Sequence, residues 1–319
     1  MMDTKEQVLS QHLNGCSFAV EAGIFVKGSP VSAENPLLSG FCPQSDAPMV
    51  ERLKQGGYLL REVIENNRLL SVDPDQKNTA VGDAVAAGAV NFALGIDTGG
   101  SLLRQSAAGV TVLRWATATV PPEGILSAAP SFDAMGMVAP SAKIALDLWT
   151  EFWCTKADEA ATVYPLETDF PLQTALDTYR ILSAVELASE LGLYDGIRFG
   201  QCEACDGVIP GRMAAYRGQR LSPELKELLL LGTALALPPY RETCYLRALG
   251  NRDVLKAKMK KKLNGGGLLQ CPMTLEASVL PALLGLSAVS AKGKLLMGMA
   301  GSEGALLSIC AELEREGGV

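Results

Sequence analysis

The chain carries one histidine, His12, in 319 residues. A Ser-His-Asp or Cys-His mechanism would have to take its base from that single N-terminal residue, which argues against both. Metal ligands are equally scarce. The one close thiol pair is Cys202-Glu203-Ala204-Cys205, and a tetrahedral zinc site needs two further ligands at suitable spacing. The eight cysteines are otherwise scattered, as in a reducing compartment rather than a disulfide framework. Cys202 and Cys205 read as a coincidental loop pair. No metal and no cofactor are expected.

Long apolar runs are also missing. No uninterrupted stretch reaches the ~20 residues of a membrane helix; the best candidate, residues 225–239, contains charges and ends in prolines. The start, Met1-Met2-Asp3-Thr4-Lys5-Glu6, lacks the apolar core of a secretory leader, so a cytoplasmic protein without membrane contact is expected. Positive charge is in deficit, with a formal net charge of −7. That argues against a general nucleic-acid surface, because such binding rests on neutralising phosphates. One basic run, Lys256-Ala257-Lys258-Met259-Lys260-Lys261-Lys262, precedes the Gly265-Gly266-Gly267 turn. It reads as a solvated helix C-terminus, where cations are favoured.

What is present is ordinary globular usage, 48% hydrophobic and 20% charged, with 32 glycines that suit tight strand–helix turns. Residues 1–319 read as one domain with ample chain for a core, without repeats. Helical periodicity runs through residues 47–55, 141–153, 173–191, 223–237 and 305–314; Ser222 and Pro223 make a good entry to one of them. Apolar strand-like runs lie at 17–20, 90–95 and 295–299. Helices mixed with such strands predict an α/β sandwich with a mixed, twisted sheet.

The second strand runs into Asp97-Thr98-Gly99-Gly100-Ser101. Glycines there allow positive φ and a close approach of substrate to backbone N–H groups. A serine at such a turn can be a nucleophile beside an oxyanion pocket built from Thr98, Gly99 and Gly100, although a plain glycine turn carries the same residues.

The surrounding blocks decide between the two. Lys27-Gly28-Ser29-Pro30, Ser45-Asp46-Ala47-Pro48-Met49-Val50, the small-residue helix Ala84-Val85-Ala86-Ala87-Gly88 and Ser131-Phe132-Asp133-Ala134-Met135-Gly136 stand in order around the serine turn. Together they resemble the amidase signature family. Leu193-Tyr194-Asp195-Gly196-Ile197-Arg198-Phe199-Gly200, Glu224-Leu225-Lys226 and Leu231-Gly232-Thr233 are most similar to its branch of glutamyl-tRNA(Gln)/aspartyl-tRNA(Asn) amidotransferase A subunits. The resemblance covers nearly the whole chain. It implies the amidase-signature fold, a mixed twisted sheet flanked by helices on both faces. It also implies that the family's N-terminal helices are absent here and its internal loops trimmed.

The family uses a serine nucleophile, a relay serine and a lysine base. By resemblance Ser101 holds the nucleophile position, Lys77 stands in the relay-serine position and Glu21 in the base-lysine position. Leu103 replaces an arginine two residues after the nucleophile, with Arg104 one position late, and Glu227-Leu228 replace an arginine pair. Tyr194, Arg198 and Arg104 are the candidate substrate-binding residues.

A lysine beside a carboxylate is held protonated and makes a poor base, so a Glu21–Lys77 ion pair across an inactive pocket is one expectation. Three readings stay open. One is a pseudo-amidase with a binding or partner role. The second is an amide hydrolase in which Lys77 serves Ser101 as a rewired base. The third is a component of an amidotransferase, working with tRNA-binding partners. The partners these imply are a small amide ligand and a protein partner or second copy, without direct nucleic-acid binding.

Overall fold

A computed structural model describes residues 15–31, 36–66, 70–75, 79–153, 161–195 and 209–316. Among these, nine strands form one sheet. They are β1 (Ser17–Glu21), β2 (Leu59–Ile64), β3 (Phe92–Asp97), β4 (Thr111–Arg114), β5 (Ala134–Ala139), β6 (Val163–Pro165), β7 (Leu268–Pro272), β8 (Ser287–Ala291) and β9 (Lys294–Gly298). Their order is β2-β1-β3-β5-β4-β8-β9-β7-β6. β1 runs parallel to β2 and β3, β6 runs parallel to β7, and the pairs between β3 and β7 are antiparallel.

Both faces of this sheet are buried, and the alternation of strand side chains sorts residues between them. Phe18, Val20, Phe92, Leu94, Leu113 and Leu296 join one core cluster; Ala19, Ala93, Val112, Leu295 and Met297 join the other. The first face is covered by α1 (Pro48–Gln55), α3 (Ala142–Trp153) and α10 (Glu303–Arg315) through Val50, Leu53, Leu148, Leu306 and Leu307. The second is covered by α2 (Ala80–Ala86), α4 (Leu172–Glu190), α6 (Pro223–Ala236), α7 (Leu246–Leu263) and the short α8 (Leu275–Ser278) and α9 (Leu280–Leu284). The remaining helix, α5 (Ile209–Arg220), buries Tyr216. The expected mixed sheet with helices on both faces is therefore the observed fold. The three expected strands and five expected helices are all found within a few residues of their expected bounds.

Most other strands escaped the sequence reading because they are short and flat in hydropathy. β5 (Ala-Met-Gly-Met-Val-Ala) is buried at every position, so it shows no alternation to read. The basic run ends α7, at Lys260, Lys261 and Lys262. Among the described residues no helix is long and apolar enough to cross a membrane.

Candidate active site

β1 and β3 are parallel, so their C-terminal ends lie at one edge of the sheet, where open α/β sheets place ligands. Counting by alternation from Ala19 and Ala93, residues Glu21, Gly95 and Asp97 share one face. Gly95 is needed between them. A Cβ there would lie 2.4 Å from Leu102 Cδ1 and 3.1 Å from Glu21 Oε2.

The turn after β3 is organised by Asp97. Its carboxylate accepts the N–H groups of Gly100 (3.2 Å) and Leu102 (2.9 Å) and pairs with Arg114 Nε at 2.8 Å. The pair is fully buried, and Arg114 further donates to the carbonyls of Leu286 and Phe132. Burial pulls the Arg114 pKa down, opposed by Asp97. Gly100 adopts φ +80°, and a Cβ there would lie 2.3 Å from the Ser278 carbonyl oxygen; one on Gly99 would lie 2.3 Å from Tyr179 Oη. Both glycines are therefore required by close approach, and Gly100 by its backbone conformation as well.

Ser101 is half-buried. Among the described residues its hydroxyl has no hydrogen-bond partner, and the N–H groups of Gly99 and Ser101 have no acceptor. Thr98 is turned away, its Oγ1 donating to Asp133 Oδ1 at 2.6 Å. Asp133 also accepts Ser127 Oγ and the N–H groups of Ala128 and Ala129. Burial pushes its pKa up to about 6, against the pull of those four donors.

On the β1 side, Glu21 is 1% exposed. Its Oε2 accepts the Ile96 N–H at 2.7 Å and its Oε1 accepts Asn66 Nδ2 at 2.7 Å. The backbone explains why. The Glu21 carbonyl turns to accept the Ile24 N–H, and the Ala22 N–H goes to Ile64. The last β1–β3 pair is Val20 with Leu94, so the Glu21 side chain supplies the acceptor that β1 no longer offers to Ile96.

Lys77, Arg198, Cys202 and Cys205 lie outside the described residues. The chain on either side of residues 76–78 is tied to the segment after Ser101: Arg104 Nη2 donates to the Pro74 carbonyl (2.6 Å), and the Gly82 N–H donates to Gln105 Oε1 (2.6 Å). Arg104, expected as a substrate anchor, also donates through Nη1 to the Gly99 carbonyl and to Ser278 Oγ. These bonds clamp three chain segments together. Tyr194 is buried in the core, and burial raises its pKa. At the positions where the resemblance expects arginine, Leu103 is fully buried, Leu228 packs half-buried against the core and Glu227 is exposed.

The sequence reading missed Arg114 and gave Asp97 and Asp133 no role. A signal existed for Arg114: a lone charge in the apolar run Val112-Leu113-Arg114-Trp115 needs a buried partner. Among the described residues no cluster of acidic, histidine or cysteine side chains could hold a metal ion.

No protein-family profile matches the chain. Its sequence is similar to the A subunit of the glutamyl-tRNA(Gln) amidotransferase of Anaeromyxobacter sp. (strain K), at 26% identity over 334 residues, covering 82% of this chain and 68% of that protein. Its fold is similar to a crystal structure of an amidase, with a TM-score of 0.74 at 20% identity, covering 98% of this chain and 89% of the other. The native peptide amidase from Stenotrophomonas maltophilia superposes with a TM-score of 0.66 at 19% identity, covering 98% and 86%. The serine turn, the sheet order and these likenesses agree: the chain is a distant relative of amidotransferase A subunits and has the fold of the amidase signature family.

Proposed function

We propose that this chain is a pseudo-amidase, with the fold and serine turn kept, the hydrolytic base lost, and the pocket serving a ligand or a protein partner. The observation that carries the reading is Glu21. At the position of the base lysine stands a buried carboxylate that accepts one backbone and one side-chain hydrogen bond. A carboxylate there cannot serve as the neutral amine base of the resembled family, and on this reading Lys77 is not converted into one. A general base supplies roughly 10²–10⁴-fold of rate, so hydrolysis of simple amides and esters by this chain is expected near background. The absence of a basic pair at Glu227-Leu228 supports the same reading, since a carboxylate-bearing substrate would lose its charged anchor there. The partner role is supported by the sequence relative, which is named as one subunit of an amidotransferase.

A second reading keeps Ser101 as a nucleophile with Lys77 as its base. Its support is that, among the described residues, the Ser101 hydroxyl and the N–H groups of Gly99 and Ser101 have no hydrogen-bond partner, as an oxyanion site would need. A fluorophosphonate probe separates the two. The expected result is that Ser101 labels no faster than the background of Ser101→Ala. Strong labelling of wild type, abolished by Lys77→Ala, would instead establish a Lys77–Ser101 dyad.

A further inference from the structure

The inner and outer faces of α6 are built of the same residue types. Inward, Leu225, Gly232 and Leu235 are buried. Gly232 lets the helix lie against α4, since a Cβ there would stand 2.0 Å from the Ala184 carbonyl oxygen. Outward, a helix that meets only water ordinarily carries polar side chains. This one carries Leu230 (70% exposed), Leu231 (48%) and, at its C-cap, Leu237 (56%), with Tyr240 (53%) just beyond. Scattered exposed leucines need no explanation, but apolar side chains gathered on one face mark an interaction site.

The spacing says of what kind. Glu227, Leu230, Ala234, Leu237 and Arg241 follow one another at steps of three, four, three and four. That is the rhythm of a seam that packs on another helix, narrower than the stripe a helix turns to a core. Glu227 and Ala234 are exposed, like the leucines. Arg241 is exposed as well, and it is held beside Leu237, whose carbonyl accepts its N–H at 2.9 Å.

The seam is also complementary to itself. Ala234, its smallest residue, stands at the centre. Glu227 lies as far before it along the chain as Arg241 lies after it, and the two charges are opposite. Neither side chain makes an ion pair or hydrogen bond among the described residues. When the face is laid antiparallel on a copy of itself, Leu230 and Leu231 meet Leu237 and Pro238, and Glu227 meets Arg241 at both ends. A two-fold contact requires such a self-complementary patch. An anionic lipid surface fits worse, because Glu227 and Glu242 are exposed at its rim and the chain carries a formal net charge of −7. We infer that the outer face of α6 binds a second copy of this chain, antiparallel, about a two-fold axis at Ala234. A contact along a helix of 14 residues, about 21 Å, belongs at the small end of specific interfaces, near ~1,200 Å². The dimer is therefore reversible and dissociates on dilution.

The test is sedimentation velocity on the full chain over a dilution series through the micromolar range. The wild type is expected to shift from dimer to monomer as it is diluted. Leu230→Lys should leave a monomer at every concentration, with an unchanged circular dichroism spectrum because the side chain is exposed. Glu227→Arg should weaken the dimer by ~10-fold or more, since it faces Arg241 with a like charge at both ends. Glu227→Arg combined with Arg241→Glu should restore it, a rescue that only the antiparallel pairing supplies. Ala234→Cys, placed on the axis, should give a cross-linked dimer on oxidation well above the wild-type background. A wild type that stays monomeric up to its solubility limit overturns the inference. So does a dimer that survives Leu230→Lys, or a charge swap that fails to rescue. Vesicles of phosphatidylcholine and phosphatidylserine should not retain the chain. Retention of a monomer that is lost with Leu230→Lys would overturn the second copy in favour of a lipid surface.

Discussion

The end of β3 and the end of β1 lie side by side at one sheet edge, and different needs hold them in place. At the β3 end, Asp97 and Arg114 form a buried pair that ties the N–H groups of Gly100 and Leu102 to the sheet interior. Glycines at 99 and 100 let Tyr179 and the Ser278 carbonyl approach. At the β1 end, a side chain completes what the backbone leaves undone, with Glu21 accepting the Ile96 N–H after β1 has turned away. The first arrangement is independent of any chemistry at Ser101, because none of its bonds involves the serine side chain. By the resemblance drawn from the sequence, the second occupies the position from which that family draws its base. The serine turn is thus held by packing and buried pairing, and the neighbouring strand end by a side-chain acceptor.

The largest effect should come from the β3 end. Arg114→Ala removes one partner of a fully buried ion pair and leaves Asp97, together with the carbonyls of Leu286 and Phe132, without that donor. The expected cost is about 3–5 kcal/mol, measured as a shift in urea midpoint with an unchanged slope. A loss below about 1 kcal/mol would mean that the turn is held by its glycines and not by the pair.

At the β1 end the expected cost is smaller. Glu21→Ala takes the carboxylate acceptor away from the Ile96 N–H and the Asn66 amide, about 1–3 kcal/mol for a group so orphaned. Glu21→Gln keeps one oxygen for Ile96, and its amide can bond Asn66 if that side chain flips, so most of the stability should return. If Gln is no better than Ala in thermal melts, the charge of Glu21 matters more than its hydrogen bonds, and the strand-end account of this residue fails.

The same contrast explains what the sequence made legible. The serine turn was readable only because the blocks around it stand in family order, since by itself a plain glycine turn at a strand end carries the same residues. The long helices were readable from their 3.6-residue periodicity. β2, with three exposed and three partly buried positions, and β5, buried throughout, carry no clean alternation and were not. Glu21 could be placed only as a substitution against a resembled pattern. Its actual bonds depend on where the β1 backbone turns, at Ala22 and Ile24, which no residue type announces. Asp133 was visible within a motif, but three of its donors come from the loop at residues 127–129 and the fourth from Thr98 after β3, an arrangement only the tertiary fold sets.

The smallest expected effect is the most informative about why Ser101 remains. Its hydroxyl has no partner among the described residues, and the side chain is only half-buried, so Ser101→Ala removes no bond seen there and creates little void. Stability should change by no more than about 0.5 kcal/mol, the range of substitutions away from caps, cores and networks. If the melting temperature falls well beyond that, the hydroxyl has a structural partner and the serine is kept for folding. If it stays level, the fold places no demand on the serine hydroxyl. Its retention beside two N–H groups without an acceptor among the described residues then has to be explained by something that enters the pocket, a ligand in the pseudo-amidase reading or a substrate in the dyad reading. Paired with the fluorophosphonate result, a neutral Ser101→Ala variant therefore divides the two: level stability with no labelling leaves a binding pocket, and level stability with labelling leaves an enzyme.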